Sequence, residues 1–263
     1  MERLGRLSPL VGLRVAWRDV RTVLDLHAPM ALGGLLPELA VGLVVAVGLY
    51  VPTHEILHAL GCLAVGGEVT RIEIAPLFGG SILARLFPLV SAETEYAGRL
   101  SGFAVGGSTW RLLATDFAPY LLTVFAGVPL VRRLERRRCA WLVPAALLLA
   151  LAPWISLTGD YYEMGSALVT AALALAGSDW SALLSDDLVA LCARLWATPE
   201  AAGVTTVVDA LAAVAIVAAS FVLGAVVASA TYLLGAFIAP AAPITAASST
   251  GRVPTSCSAE ERW

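Results

Sequence analysis

Charge is what this sequence has least of. Of its 263 residues, 14% are charged and 59% are hydrophobic, and the mean hydropathy is +0.82. Soluble domains carry about 25% charged and about 45–50% apolar residues, so the composition excludes an ordinary water-soluble domain. It points to an integral, multi-pass membrane protein. The formal charge of -3, with no basic patch interleaved with aromatics, excludes a nucleic-acid partner. Cysteine is sparse and scattered: Cys62, Cys139, Cys192 and Cys257 form no C-x-x-C pair. Three of them lie in or beside apolar segments and are expected as small core residues rather than disulfides or ligands. The N-terminus lacks the short apolar core and small-residue cleavage site of a signal peptide, so the first hydrophobic segment is expected to stay in the membrane. No internal repeat is present. Histidine is scarcer still, with three in all.

Two of those three stand together in Val51-Pro52-Thr53-His54-Glu55-Ile56-Leu57-His58-Ala59-Leu60-Gly61, an H-E-x-x-H motif inside an apolar run. On a helix, residues four apart project from one face, so His54 and His58 can share one zinc ion. Glu55 lies beside them, placed to handle the proton of an activated water. Unpaired ionisable groups are costly among Leu, Ile, Val and Ala, which argues against a chance match.

Residues 1–28 carry Arg3, Arg6, Arg14, Arg18 and Arg21 among Leu4, Leu7, Leu10, Val11, Leu13, Val15 and Trp17. They read as an amphipathic segment on the membrane surface. His27 is expected at the interface rather than as a ligand. Residues 30–65 are almost uniformly apolar and longer than the roughly 20 needed to span a bilayer. Pro52 is expected to kink this helix just before His54. Gly66-Gly67 ends it. The alternation Val69-Thr70-Arg71-Ile72-Glu73-Ile74 then predicts a strand, with Ser81-Ile82-Leu83 and Leu100 to Val105 as further strands. An exposed strand edge beside the motif could bind an extended peptide; an ordinary loop with two hairpins reads equally well. Further apolar segments follow at 117–131, 140–157, 158–176 and 205–238. The run Arg132-Arg133-Leu134-Glu135-Arg136-Arg137-Arg138 is expected to be a solvated cytoplasmic loop, on the same side as residues 1–28. On that orientation Asp160 lies at the outer end of its span.

A catalytic zinc needs three protein ligands and one open position, so the two histidines leave one vacancy. Asp160, Glu163, Asp116 and Asp209 are the downstream carboxylates at plausible depth. Asp160, after Gly159 at the mouth of a helix, is the preferred ligand. Capping that helix is its competing role, and Glu163, one turn on, is the rival ligand or an orienting partner.

His54-Glu55-Ile56-Leu57-His58 in a hydrophobic helix, followed by Gly66-Gly67-Glu68-Val69 and Ala75-Pro76-Leu77-Phe78-Gly79-Gly80, resembles the site-2 protease (M50) family of intramembrane zinc metalloproteases. The resemblance covers residues 45–82 well and 150–168 loosely. It implies His54 and His58 as ligands, Glu55 as catalytic base, Asp160 as third ligand and a transmembrane protein as substrate. The second family motif usually reads N-x-x-P-x-x-x-L-D-G, whereas Pro153 to Asp160 ends Gly-Asp and has no nearby asparagine. There is no room for an inserted PDZ domain. The expected protein is a minimal, divergent member in a prokaryotic cell membrane. Its expected fold is an all-α polytopic bundle of about five transmembrane helices with a small β-hairpin insert after the zinc-binding helix. Its divisions are a juxtamembrane segment (1–28), an intramembrane metalloprotease-like domain (29–238, with the β insert at about 66–116) and a disordered tail (239–263). The rival reading is a non-proteolytic membrane zinc-binding protein, a transporter or sensor. One intramembrane cluster, rather than several lining a path, favours the protease.

Overall fold

The structure, a computed structural model, describes residues 10–28, 32–134, 139–177, 188–198 and 204–240. The start of the amphipathic segment, residues 135–138 of the arginine run and the tail from 241 on lie outside the described residues.

Helices dominate, and four stretches are long and apolar enough to cross a membrane: Gly34–Ala64, Thr109–Leu134, Ala140–Leu175 and Val207–Ile238. The helix α1 (Leu10–His27) precedes them, and α2 (Leu32–Ala64) carries the H-E-x-x-H motif. Helix α2 runs unbroken through Pro37 and Pro52. It exposes Leu36, Val41, Leu43, Val44, Val45 and Leu49, a run of large apolar side chains that suits hydrocarbon rather than water.

The segment after α2 is a three-stranded sheet, not a hairpin. Its strands are β1 (Glu68–Ile74), β2 (Val90–Ser91) and β3 (Gly98–Ala104), in the order β2-β1-β3. The central strand β1 pairs antiparallel with β3 and parallel with β2. Ser81-Ile82-Leu83 is not a strand: it falls in α3 (Gly80–Leu86). Gly79, at φ +84°, turns the chain sharply, and Ile82 and Leu83 both donate their N–H groups back to its carbonyl. Local helical bonds thus occupy the groups a strand would need. Leu83 still serves the sheet by packing against Ile72, Ile74 and Leu100.

Helices α4 (Thr109–Phe117) and α5 (Val128–Leu134) belong to the second stretch, joined by 3-10 and π-helical turns. The third stretch is one broken helix, where the sequence's apolar segments 140–157 and 158–176 suggest two spans. Its halves α6 (Val143–Ile155) and α7 (Asp160–Leu175) are separated by a turn at 156–159. Asp160 therefore sits at the break, inside the stretch rather than at its outer end. Broken helices at such depth are tolerated where the freed backbone is covered by protein or lines a cavity. Here Ser156 Oγ accepts from the Asp160 N–H at 3.3 Å. A short helix α8 (Leu188–Ala197) precedes the last, α9 (Val207–Ile238).

Helices α7 and α9 pack backbone against backbone. A Cβ added at Gly165 would stand 2.0 Å from the Ser220 carbonyl oxygen, and one at Gly224 would stand 2.3 Å from that of Tyr161. Small residues that let backbones touch are the usual means of helix association in lipid, where burial from water supplies no driving force between helices.

A buried ionic network joins the two ends of the described chain. Asp19, 1% exposed on α1, accepts from Arg132 Nε at 3.1 Å and Nη2 at 3.0 Å, and from the Tyr232 hydroxyl at 3.1 Å. Arg132 Nη1 also donates to the carbonyls of Ala236 and Ala239, both at 2.6 Å, which closes the end of α9. Arg132 is thus buried in a pairing and is not part of a solvated loop. Removing one partner strands the other charge, so Arg132→Ala is expected to lower stability by roughly 3 kcal/mol. Thermal melting in detergent reads this out, with Arg133→Ala as the exposed control. Among the cysteines in or beside apolar segments, Cys62 and Cys192 are free thiols, whereas Cys139 is disulfide-bonded, against the expectation of a small unbonded core residue.

Candidate metal centre

The spacing of the motif on α2 turns both imidazoles to one side, and the break in the third stretch brings a carboxylate to meet them. His54 Nε2 and His58 Nε2 are 3.1 Å apart. Asp160 Oδ2 lies 3.1 Å from the first and 3.4 Å from the second. These are the atoms a metal would use, and His54, His58 and Asp160 form the one such metal-competent group among the described residues. Ligand atoms in a tetrahedral site with bonds of about 2.0–2.1 Å stand about 3.3 Å apart. The observed triangle fits one face of that tetrahedron.

The surroundings set the ligands' orientation. His58 Nδ1 lies 2.9 Å from the Thr115 carbonyl oxygen. Donating its proton there leaves the lone pair on Nε2, facing the centre. The Tyr120 hydroxyl donates to Asp160 Oδ2. The Tyr120 ring, fully buried, stands edge-on to His54 with centroids 5.6 Å apart and to Tyr161 at 4.4 Å. Tyr50 tilts against the other side of His54 at 5.2 Å. The resulting wall of phenol rings packs against His54, and Tyr120 also holds the Asp160 carboxylate.

Asp160 does not cap α7. Its N-cap is Gly159, with no side-chain cap bond, so the carboxylate is released toward the histidines. Glu163 lines the same cavity one turn on but is outside the ligand triangle. Asp116 is buried on α4 and also lines the cavity. Asp209 is remote in role: with Thr206 it forms the capping box of α9. His27 is buried at the end of α1, with Nδ1 2.8 Å from the Val23 carbonyl oxygen, and takes no part in the triangle.

Glu55 opens on a cavity of about 290 Å³, which it shares with His58, Asp160, Gly98 and Leu100. Its carboxylate accepts from the Leu100 N–H on β3. Strand β3 approaches so closely that a Cβ at Gly98 would lie 2.7 Å from Glu55 Cγ. The strand thus fixes the acid's position on the cavity wall. Thr115, Tyr120, Gly98 and Leu100 escape a reading of the sequence alone. The only hint is that a tyrosine in an apolar run needs a partner for its hydroxyl. Comparison with known protein families, curated proteins and solved structures gives no match to this chain.

Proposed function

We propose that this chain is an intramembrane zinc metalloprotease that hydrolyses peptide bonds in or near transmembrane segments of other proteins. The observation that carries the proposal is the triangle of His54, His58 and Asp160, with an acid, Glu55, on the cavity that His58 and Asp160 line. Its setting between four apolar stretches supports a membrane-embedded substrate. The sequence likeness to site-2 proteases agrees with both. Two histidines and an aspartate suit zinc, which with three protein ligands keeps a position open.

When bound, zinc would lower the pKa of a water and polarise the carbonyl under attack. Glu55 takes that water's proton on its carboxylate as the oxygen adds to the carbonyl carbon. The C–N bond then breaks, and Glu55 returns the proton to the leaving amine nitrogen. The Leu100 N–H steadies the carboxylate between these two transfers. Strand β3 is an edge strand of the sheet, and its residues Gly98 to Ser101 line the cavity. An extended substrate can align on such an edge through main-chain hydrogen bonds.

The test is to incubate the reconstituted protein with a set of single-span membrane proteins and to map products by mass spectrometry. Cuts within apolar segments are expected, abolished by 1,10-phenanthroline and restored by stoichiometric zinc. A fully zinc-loaded protein that cuts none of them would favour the non-proteolytic zinc-binding reading instead. Gly98→Ala separates positioning from metal binding. The added methyl pushes on Glu55 and not on a ligand. Activity is expected to fall about 100-fold, the usual effect of a 1 Å misplacement, with zinc content unchanged.

A further inference from the structure

Helix α1 divides into three stripes around its circumference. Gly12, Ala16, Asp19, Val20, Val23 and His27 are buried against the bundle. Beside them runs an exposed apolar stripe of Leu10, Leu13, Trp17 and Leu24, with Trp17 65% exposed. At about 100° per residue, these four positions fall within about 60° of one another. Next around the helix come Arg14, Arg21 and Arg18, all exposed; Arg18 is held by Asp19 Oδ1 at 2.7 Å, and Arg21 lies 3.5 Å from Asp25, the exposed acid among them.

The buried stripe fixes where this helix sits. Gly12 touches the Ser229 backbone closely enough that a Cβ would come to 2.6 Å of its Cα. Asp19 is bound by Arg132, at the end of the second apolar stretch, and through Arg132 to Ala236 and Ala239, at the end of the fourth. The third stretch begins beside this point, at Ala140, and Arg133 is exposed here as well. Three apolar stretches therefore have an end at the level of Asp19. That is where a bilayer spanned by them has its headgroups.

We propose that the outer face of α1 is a docking surface for anionic lipid headgroups. The stripe of Leu10, Leu13, Trp17 and Leu24 enters the acyl boundary, and Arg14 and Arg21 meet the phosphates. Helix α1 together with Arg132, which also pairs with Asp19, carries four arginines against Asp19 and Asp25, a surplus of two positive charges complementary to an anionic leaflet. Trp17, in the apolar stripe and about one turn from Arg14 and Arg21, suits the interface, since its ring is apolar and its N–H polar. This surface lies apart from the metal centre and does not depend on the protease reading.

The test uses the full-length protein equilibrated with equal amounts of phosphatidylglycerol and phosphatidylcholine in detergent. Retained lipid is counted by native mass spectrometry. The wild type is expected to retain phosphatidylglycerol preferentially, and the preference should fall as salt is raised. Loss of one exposed arginine should lower it roughly fivefold, so the double variant Arg14→Gln/Arg21→Gln should hold the two lipids almost equally. Trp17→Gln should weaken retention of both lipids. Equal retention by the wild type, or a preference that survives in the double variant with melting unchanged, would overturn the proposal.

Discussion

Asp160→Ala protein, purified beside the wild type, is expected to carry no metal while its helices remain intact. Losing an outer partner of a ligand typically costs roughly 10–100-fold in metal affinity, and losing the ligand itself costs more. The wild type should hold about one zinc per chain, and the variant none after dialysis against a weak chelator. Asp160 Oδ2 stands 3.1 and 3.4 Å from the two imidazole nitrogens, so nothing else in the triangle can take its place. Glu163→Ala supplies the control. Its carboxylate is on the same cavity but outside the triangle, so zinc should be retained. A proton on His54 Nε2 could hold the same three atoms together without metal. A wild type that binds no zinc even when it is supplied would mean that the proton does so, and would end the protease reading. Zinc lost with Glu163→Ala and kept with Asp160→Ala would move the third ligand by one turn.

Glu55→Gln should show the opposite separation: full zinc and almost no turnover. General acid–base groups contribute typically 100- to 10,000-fold, and Glu55 is asked to act twice in each cycle. The amide keeps the volume of the acid, so the fit against Gly98 and the packing of α2 on β3 are retained. Product formation per hour from a transmembrane substrate, normalised to zinc content, is the quantity to compare. Equal rates for Glu55→Gln and the wild type would remove Glu55 from the chemistry and leave the site's proton carrier to be found elsewhere.

The half of the centre that lies on one helix was legible in the sequence, because a spacing of four on a helix fixes relative direction without knowledge of the fold. Strand β1 was legible from alternation for the same local reason. Asp160 came from chemical elimination as well as from the likeness to a family, and the structure brings it to the histidines without saying what they hold. What could not be read depends on groups distant in the chain. Thr115 contributes only its carbonyl, and Leu100 only its N–H, so neither side chain marks the role. Tyr120 reaches Asp160 across 40 residues. Ser81-Ile82-Leu83 looks like a strand because Ile and Leu suit either state; Gly79, with its left-handed backbone, decides for a helix. Arg132 looked like part of a solvated run because its partner, Asp19, lies 113 residues earlier.

The backbone contact between α7 and α9 bears on how the protein is made. His54 and Asp160 are 106 residues apart, so the ribosome delivers the two halves of the centre at different times. Even then Asp160 begins a helix whose seat is the Ser220–Gly224 turn of α9, synthesised later still. A nascent chain halted before Ser220 contains every ligand and the acid, yet lacks the surface that holds α7 in place. On the proposed reading, metal uptake is a late event of biogenesis, set by insertion of α9. Until α9 arrives, the proposed centre has its residues but not their final setting.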